Sequence, residues 1–326
     1  MFKENLIELN LPAVSAESGN GSEYSIDRLS SGLQQLLQHH SMEDVYYIKT
    51  PTQGRDYWWL ATRSDEIFLY DVNGAPVADH WLMLPVLYWL GEFHTELLLH
   101  DGGTTLLTLL GIGCLILMLA GLISWWPGRS GFRLSHLWAM SARRGPALRQ
   151  HRAVAIICLP LLLLSVLTGA GMSVQSAIGF FIETTSVAAP EPEPTATVAT
   201  LEFELSQLDA LLQSAQQRLP DSQITMLSLP TAAKPYLGMR LRAADEWHVN
   251  GKTNMMIDIA SGAIKIKDVK DASAGRKILN TFYPLHSSYG LPGLYKALVV
   301  ITGVLTVLLG VLGLLAWLRR RGGMLN

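Results

Sequence analysis

The stretch "TFYPLHSSYGLPGLYKALVVITGVLTVLLGVLGLLAWLRRR", residues 281–321, decides the fold. Its middle, Ala297 to Leu318, holds 22 residues without a charge, and a helix of about 20 apolar residues crosses the hydrocarbon core of a bilayer. The run closes on Arg319, Arg320 and Arg321, a basic stop. At its other end His286 stands just outside the run, set off from it by Gly290, Pro292 and Gly293. The stretch therefore reads as a membrane helix with a histidine at its mouth.

Two further runs have the same character: Thr104 to Trp126, and Ala153 to roughly Val174 within a longer uncharged stretch. With 49% apolar and 16% charged residues, the 326-residue chain is a membrane protein that also carries extramembrane mass. The charges around the spans are uneven. Between Pro127 and Arg152 lie six arginines (Arg129, Arg133, Arg143, Arg144, Arg149, Arg152) and no acid, and the C-terminal tail is purely basic. All 27 acidic residues fall before residue 104 or between residues 175 and 293. Lysine and arginine stay on the cytoplasmic side, so the loop and tail are expected inside and the two larger segments outside. A net charge of −2 gives no reason to expect a nucleic-acid partner.

"MFKENLIELNLPAV" at the N-terminus has neither the apolar core of a signal peptide nor a span, yet the segment after it is expected outside. A missing upstream helix accounts for this better than export by a less common route, and residues 1–24 read as a remnant behind that helix. Cys114 and Cys158 fall inside spans, which implies packing roles and no disulfide framework.

The order expected along the chain is an outer α+β module at 25–85, an interfacial lead-in and span at 86–126, and the basic loop at 127–152. A span at 153–174 and a proline-rich linker at 175–200 ("AAPEPEPTATVAT") come next. A second outer module at 201–280, a lead-in and span at 281–318 and the tail at 319–326 complete it. In the first module "YSIDRLSSGLQQLLQHH" has helical spacing, and "VYYIKT", "DYWWLATR" and "EIFLYDVNGAPV" read as strands with a turn at Asn73-Gly74. In the second, "LSQLDALLQSAQQRL" is the helix and "YLGMRLRA", "EWHVNG" and "NMMIDIASGAIKIKDV" are strands.

The two copies stay in register into the membrane. Gly111, Gly121, Trp125 and Arg129 lie beyond His94 at the same offsets at which Gly303, Gly313, Trp317 and Arg321 lie beyond His286. The chain thus reads as a duplicated unit, an outer module and then a histidine-bearing lead-in to a descending helix. Both histidines should lie at one depth at the outer face, with Gly102-Gly103 in the first copy serving as Gly290 and Pro292-Gly293 do in the second. A lone interfacial histidine is most simply an amphipathic ring at headgroup level. Two related by a repeat suit axial ligation of haem iron, one nitrogen from each side of the porphyrin. Zinc suits them less, since a structural site needs four ligands. His151 opens the middle span on the cytoplasmic side and is a candidate ligand of a second haem, whose partner would come from a missing helix; His136 is a weak substitute. His100 is a secondary candidate. His39 and His40 end a helix, where imidazole complements the dipole, and His80 and His248 read as surface residues. No H-E-x-x-H, G-x-S-x-G, P-loop or C-x-x-C motif occurs.

With "FHTELLLHDGG…GLISWWPGR", "HRAVAIICLPLLLLSVLTG" and "LHSSYGLPGLYKALVVITG…GLLAWLRRR" in place, the chain resembles the PepSY-associated transmembrane helix family of bacterial inner-membrane proteins, which includes ferric-siderophore reductases. The hairpins "YDVNGAPV" and "IDIASGAIKI" look like the family's Asp-x-x-x-Gly strand ends. The resemblance implies a four-helix bundle with two periplasmic PepSY modules and, as in reductase members, haem b on helix-end histidines, here His94, His151 and His286. The chain departs from the family in lacking the first helix and its histidine, and in having His100 where glycine is usual. Two functions are expected on this basis. The first is an inner-membrane electron-transfer protein that takes electrons from a cytoplasmic or quinol donor to a periplasmic acceptor such as a ferric siderophore. The second is a non-enzymatic PepSY module that binds or regulates a periplasmic protease, peptide or transporter.

Overall fold

The computed structural model describes residues 25–52, 55–77, 83–99, 102–138, 144–175, 205–231 and 234–322. The chain divides into two compact units, one from residues 1–90 and 182–280, the other from 91–181 and 281–326.

The first unit is built on one antiparallel sheet. Helix α1 (Ile26–Leu37) starts where Ser25 accepts a hydrogen bond from the Arg28 amide, a cap that satisfies one of the free N–H groups of the first turn. Its buried Leu29, Leu33, Leu36 and Leu37 form a stripe at helical spacing. Strands β1 (Val45–Lys49), β2 (Tyr57–Thr62) and β3 (Ile67–Asp71) come after it. Later in the chain come α5 (Leu205–Arg218), β4 (Ser222–Ser228), β5 (Tyr236–Ala243), β6 (Thr253–Asp258) and β7 (Ile264–Lys267). The strand order is β3-β2-β1-β4-β5-β6-β7. The two expected modules are therefore halves of a single seven-stranded sheet, joined where β1 pairs with β4 through Ile48↔Leu227 and Lys49↔Met226. Leu33 and Leu36 of α1 and Leu208 and Leu212 of α5 share one core with Ile48, Trp58, Leu60, Leu227, Leu237 and Leu241. An edge-to-edge join lets two modules too small for a core of their own bury a common one.

The Asn73-Gly74 turn forms as expected. The Gly74 amide donates to the Asp71 carbonyl, and Gly74 has φ +87° with the Gly32 carbonyl 2.3 Å from where a Cβ would stand. Two readings need correction. "SQITMLS" is a strand, β4, at the centre of the sheet. "EWHVNG" is not a strand; it is the β5–β6 connection, which turns at Gly251, where φ is +67° and a Cβ would lie 1.9 Å from the Leu241 carbonyl.

The second unit holds the membrane helices. The earlier helix α2 (Met83–Glu96) crosses the boundary between the units and carries His94. Then come α3 (Gly103–Trp125), continued as a 3₁₀ segment to Gly131, and α4 (Arg144–Ser173). Helices α6 (Ala274–Asn280), α7 (Phe282–Ser287) and α8 (Gly293–Gly322) end the chain, α6 in the first unit and the other two in the second. Among the described residues, three helices are long and apolar enough to cross a membrane: Gly103–Gly131, Gly145–Ser173 and Gly293–Leu318. Helix α4 starts well before the expected span at 153, because nothing between Arg144 and Arg152 stops a helix and its charged first turns can extend beyond the hydrocarbon. It packs against both α3 and α8. Leu117, Ile123, Val304 and Val307 stand outward and exposed, the surface a lipid-solvated bundle presents. Toward α3 the contact is between small residues, with Ala170 Cβ 3.2 Å from a Cβ built on Gly111. Residues 1–24, residues 176–204 with nearly all of the linker expected at 175–200, His80, His100 and the last four residues lie outside the described residues.

Candidate functional site

The two lead-in segments end alike. After α2 the chain turns through Leu97 and Leu98, with φ of 53° and 58°; after α7 it turns through Ser288 and Gly290, with φ of 55° and 77°. Leu98 and Gly290 occupy equivalent places in the repeat, four residues past each histidine. Leucine in the left-handed region costs about 1 kcal/mol or more, and backbone hydrogen bonds from the Leu97 amide to the Phe93 carbonyl and from the Leu99 amide to the Glu96 carbonyl close the turn. Gly103 completes the first turn, since a Cβ there would lie 1.6 Å from the Glu96 carbonyl. In the second copy the Tyr295 hydroxyl, on the first turns of α8, donates to the Leu285 carbonyl at 2.7 Å and ties α7 to the span.

These turns bring His94 and His286 together, with the two Nε2 atoms 3.4 Å apart. The ring centroids are 5.7 Å apart and the planes 26° from parallel. The centroid separation exceeds the nitrogen separation by the two ring radii, so the nitrogens face each other head on. His286 Nδ1 lies 2.9 Å from the Ser165 carbonyl on α4 and 3.4 Å from the Thr168 hydroxyl. A carbonyl only accepts, so Nδ1 carries the proton and Nε2 presents a lone pair toward His94. Burial holds His286 below the ordinary histidine range; the Ser165 carbonyl opposes this and neighbouring His94 adds to it. The imidazole is therefore neutral at neutral pH, the form in which it ligates a metal.

His151, on α4, lies elsewhere. Its Nδ1 is 3.1 Å from the Leu309 carbonyl of α8, so its Nε2 is also left as an acceptor. His151 and Ser165 are separated by about 20 Å along the axis of α4, at 1.5 Å per residue. The structure thus joins two of the sequence-derived candidates and sets the third toward the other end of the same helix. Below it, Gln150 Nε2 donates to the Leu137 carbonyl at 2.9 Å, which fastens the basic loop to α4.

Two imidazoles on opposite sides of one metal need their Nε2 atoms about 4 Å apart, twice a metal–imidazole bond of about 2 Å. A head-on pair at 3.4 Å meets that need after a shift of about half an ångström. The Nδ1–carbonyl bond is the outer partner that metal-bound histidines commonly have. Among the described residues, no group of three or more His, Cys, Asp or Glu is placed to hold a metal. The pair offers two facing imidazole nitrogens as donors.

The sequence reading missed Ser165, Thr168 and Gly169, although small and polar residues in the run "LLSVLTGAG" were a visible signal. It also read His248 as a surface residue, and it did not foresee the second role of His40 after the helix end. His248 is buried, at 6% exposure. His40 is less a helix-end group than a tie to β3, its Nε2 bonded to the Tyr70 hydroxyl and its ring against Phe68.

Three apolar helices among the described residues, a separate antiparallel sheet and a facing histidine pair define a membrane protein with a candidate cofactor site. The chain belongs to the PepSY-associated TM region family, whose model matches residues 3–320. No curated protein matches it.

Proposed function

We propose that the chain is an electron-transfer protein of the bacterial inner membrane, with haem b held between His94 and His286. Haem, when bound, would supply a one-electron couple; His94 and His286 would hold it, and the chain would set the polarity around it. His286 is held neutral with Nε2 aimed at His94, and α7 is pinned between α4 and α8. His151 would supply one ligand of a second haem toward the cytoplasmic end, the other ligand coming from a segment or chain beyond the described residues. Electrons would then pass from a cytoplasmic or quinol donor to a periplasmic acceptor. A ferric siderophore fits that role, because hard oxygen chelators favour ferric over ferrous iron and reduction loosens their hold. The sheet unit, which we read as two PepSY modules on the periplasmic side, would form the docking surface.

The observation that carries this reading is the head-on Nε2 pair with its proton fixed on the far nitrogen of His286. The test is a reduced-minus-oxidised visible spectrum of the detergent-purified chain, with a pyridine haemochrome count. A b-type band that disappears in His94→Ala and in His286→Ala is expected. A colourless protein after expression with ample haem overturns the reading in favour of a non-enzymatic module acting on a periplasmic protease, peptide or transporter.

A further inference from the structure

We infer that Gly169 is a positioning residue: it opens α4 so that His286 can donate its Nδ1–H to the Ser165 carbonyl four residues earlier, leaving Nε2 as a lone pair for a cofactor. The inference takes its purpose from the haem reading but rests on its own geometry.

The same arrangement occurs twice, with the helices exchanging roles. His286, which leads into α8, bonds the Ser165 carbonyl on α4, and Gly169 lies four residues further along α4. His151, on α4, bonds the Leu309 carbonyl on α8, and Gly313 lies four residues further along α8. In a helix the carbonyl of residue i already accepts the N–H of residue i+4. A second donor can use the remaining lone pair, but it must pass over residue i+4, and a side chain there would stand in its way. At Gly169 the missing Cβ removes the obstacle, whereas at Gly313 the ring stands far enough off to clear one. A Cβ built on Gly169 would lie 2.8 Å from Cε1 and 3.2 Å from Nδ1 of His286, and one built on Gly313 would lie 3.6 Å and 3.7 Å from the same two atoms of His151.

The two sites therefore differ in tolerance. At Gly169 alanine forces the ring to move. Sliding α7 aside is resisted by Phe282, whose ring covers Gly171 so closely that a Cβ there would be 2.2 Å away. At Gly313 an alanine methyl makes only an ordinary van der Waals contact.

The experiment is nitrogen-15 NMR of the full chain, labelled at histidine and prepared without haem in detergent or bilayers, with resonances assigned from His286→Gln and His151→Gln. Wild type should show both histidines protonated at Nδ1 and bare at Nε2. Gly169→Ala should move the His286 resonances toward the Nε2-protonated form. Gly313→Ala should leave those of His151 in place, as should Gly113→Ala, where nothing lies within 4 Å of the added methyl. Finding wild-type His286 protonated at Nε2, or unmoved in Gly169→Ala, overturns the inference. Should Gly169→Ala fail to fold, the wild-type His286 tautomer alone decides. Haem is counted separately on reconstituted protein. Loss of an outer partner of a ligand weakens binding about 10-fold or more, so Gly169→Ala should retain far less haem than Gly313→Ala. If wild type takes no haem, the electron-transfer reading falls, and the His286 tautomer in wild type and Gly169→Ala still decides what Gly169 does.

Discussion

At His248 burial opposes charge. Its ring lies in the β5–β6 connection at 6% exposure, and its Nδ1 accepts the Asn250 amide at 3.3 Å. Burial first, and then Lys252, Arg240 and Arg242, push its pKa down to about 3. The folded form therefore refuses a proton that the unfolded chain accepts near pH 6.5. Stability from this group is complete above pH 6.5 and falls as the pH drops toward 3, with a slope approaching about 1.4 kcal/mol per pH unit. Melting of the sheet unit, monitored by circular dichroism on the whole chain between pH 7.5 and 4.5, should steepen with acid in wild type. In His248→Gln that added slope should be gone. Equal slopes would mean that the ring protonates within the fold. The contrast with His94 and His286 shows what sequence makes legible at this scale. Those two stand out because a repeat sets them in equivalent places beside long apolar runs. Nothing local to "EWHVNG" signals that its histidine is enclosed, because the connection is tied down by Thr225 of another strand, whose hydroxyl donates to the carbonyls of Arg240 and Asn250.

Among the elements, the join between the half-sheets is the part with least regular pairing. Only two residue pairs make up the β1–β4 ladder. The Thr50 amide and hydroxyl extend it to the carbonyls of Thr225 and Ile224. Arg55, 3% exposed, then reaches in. Its Nε and Nη2 donate to the Thr50 carbonyl at 3.2 and 2.6 Å, and Nη2 also reaches the Thr225 carbonyl at 3.3 Å. Hydrogen bonds from a charged donor contribute about 1.5–3 kcal/mol each at most, and a buried acceptor left without its donor bears a desolvation cost. Arg55→Leu should destabilise the sheet unit by about 2–3 kcal/mol. Arg55→Lys should recover little of that loss, since an ammonium lacks the forked geometry. Hydrogen exchange locates the damage: the Thr50 amide should exchange faster, with the β2–β3 and β5–β6 amides nearly unchanged. A uniform rise across the sheet would show that Arg55 is not specific to the join. Helices and outer strands were readable from their own periodicity. The join was not, because it depends on Thr50, Arg55 and β4, residues 170 or so apart that carry no local mark of the pairing.

For the chain as a whole the open issue is which side of the membrane each charged segment occupies, and the arginines bear on it directly. Six lie between residues 127 and 152 without an acid, while 15 and 12 acidic residues lie in the two larger segments. Short basic loops resist translocation, and acidic residues resist it little. The apolar spans themselves were legible without any structure, because 22 uncharged residues in sequence have few other uses. Orientation is a property of the chain in a real membrane, so it is tested there. Cys114 and Cys158 are both free thiols, and replacing them with alanine clears the background. Lys267, on the outermost strand β7, and Arg133, in the basic loop, are both exposed and accept a cysteine without loss of packing. In intact cells with a permeabilised outer membrane, a membrane-impermeant maleimide should label Lys267→Cys, and it should reach Arg133→Cys only after the inner membrane is broken. The reverse pattern would place the sheet unit in the cytoplasm. The His94–His286 pair would then face the reducing side, and delivery of electrons to a periplasmic acceptor would no longer fit the chain.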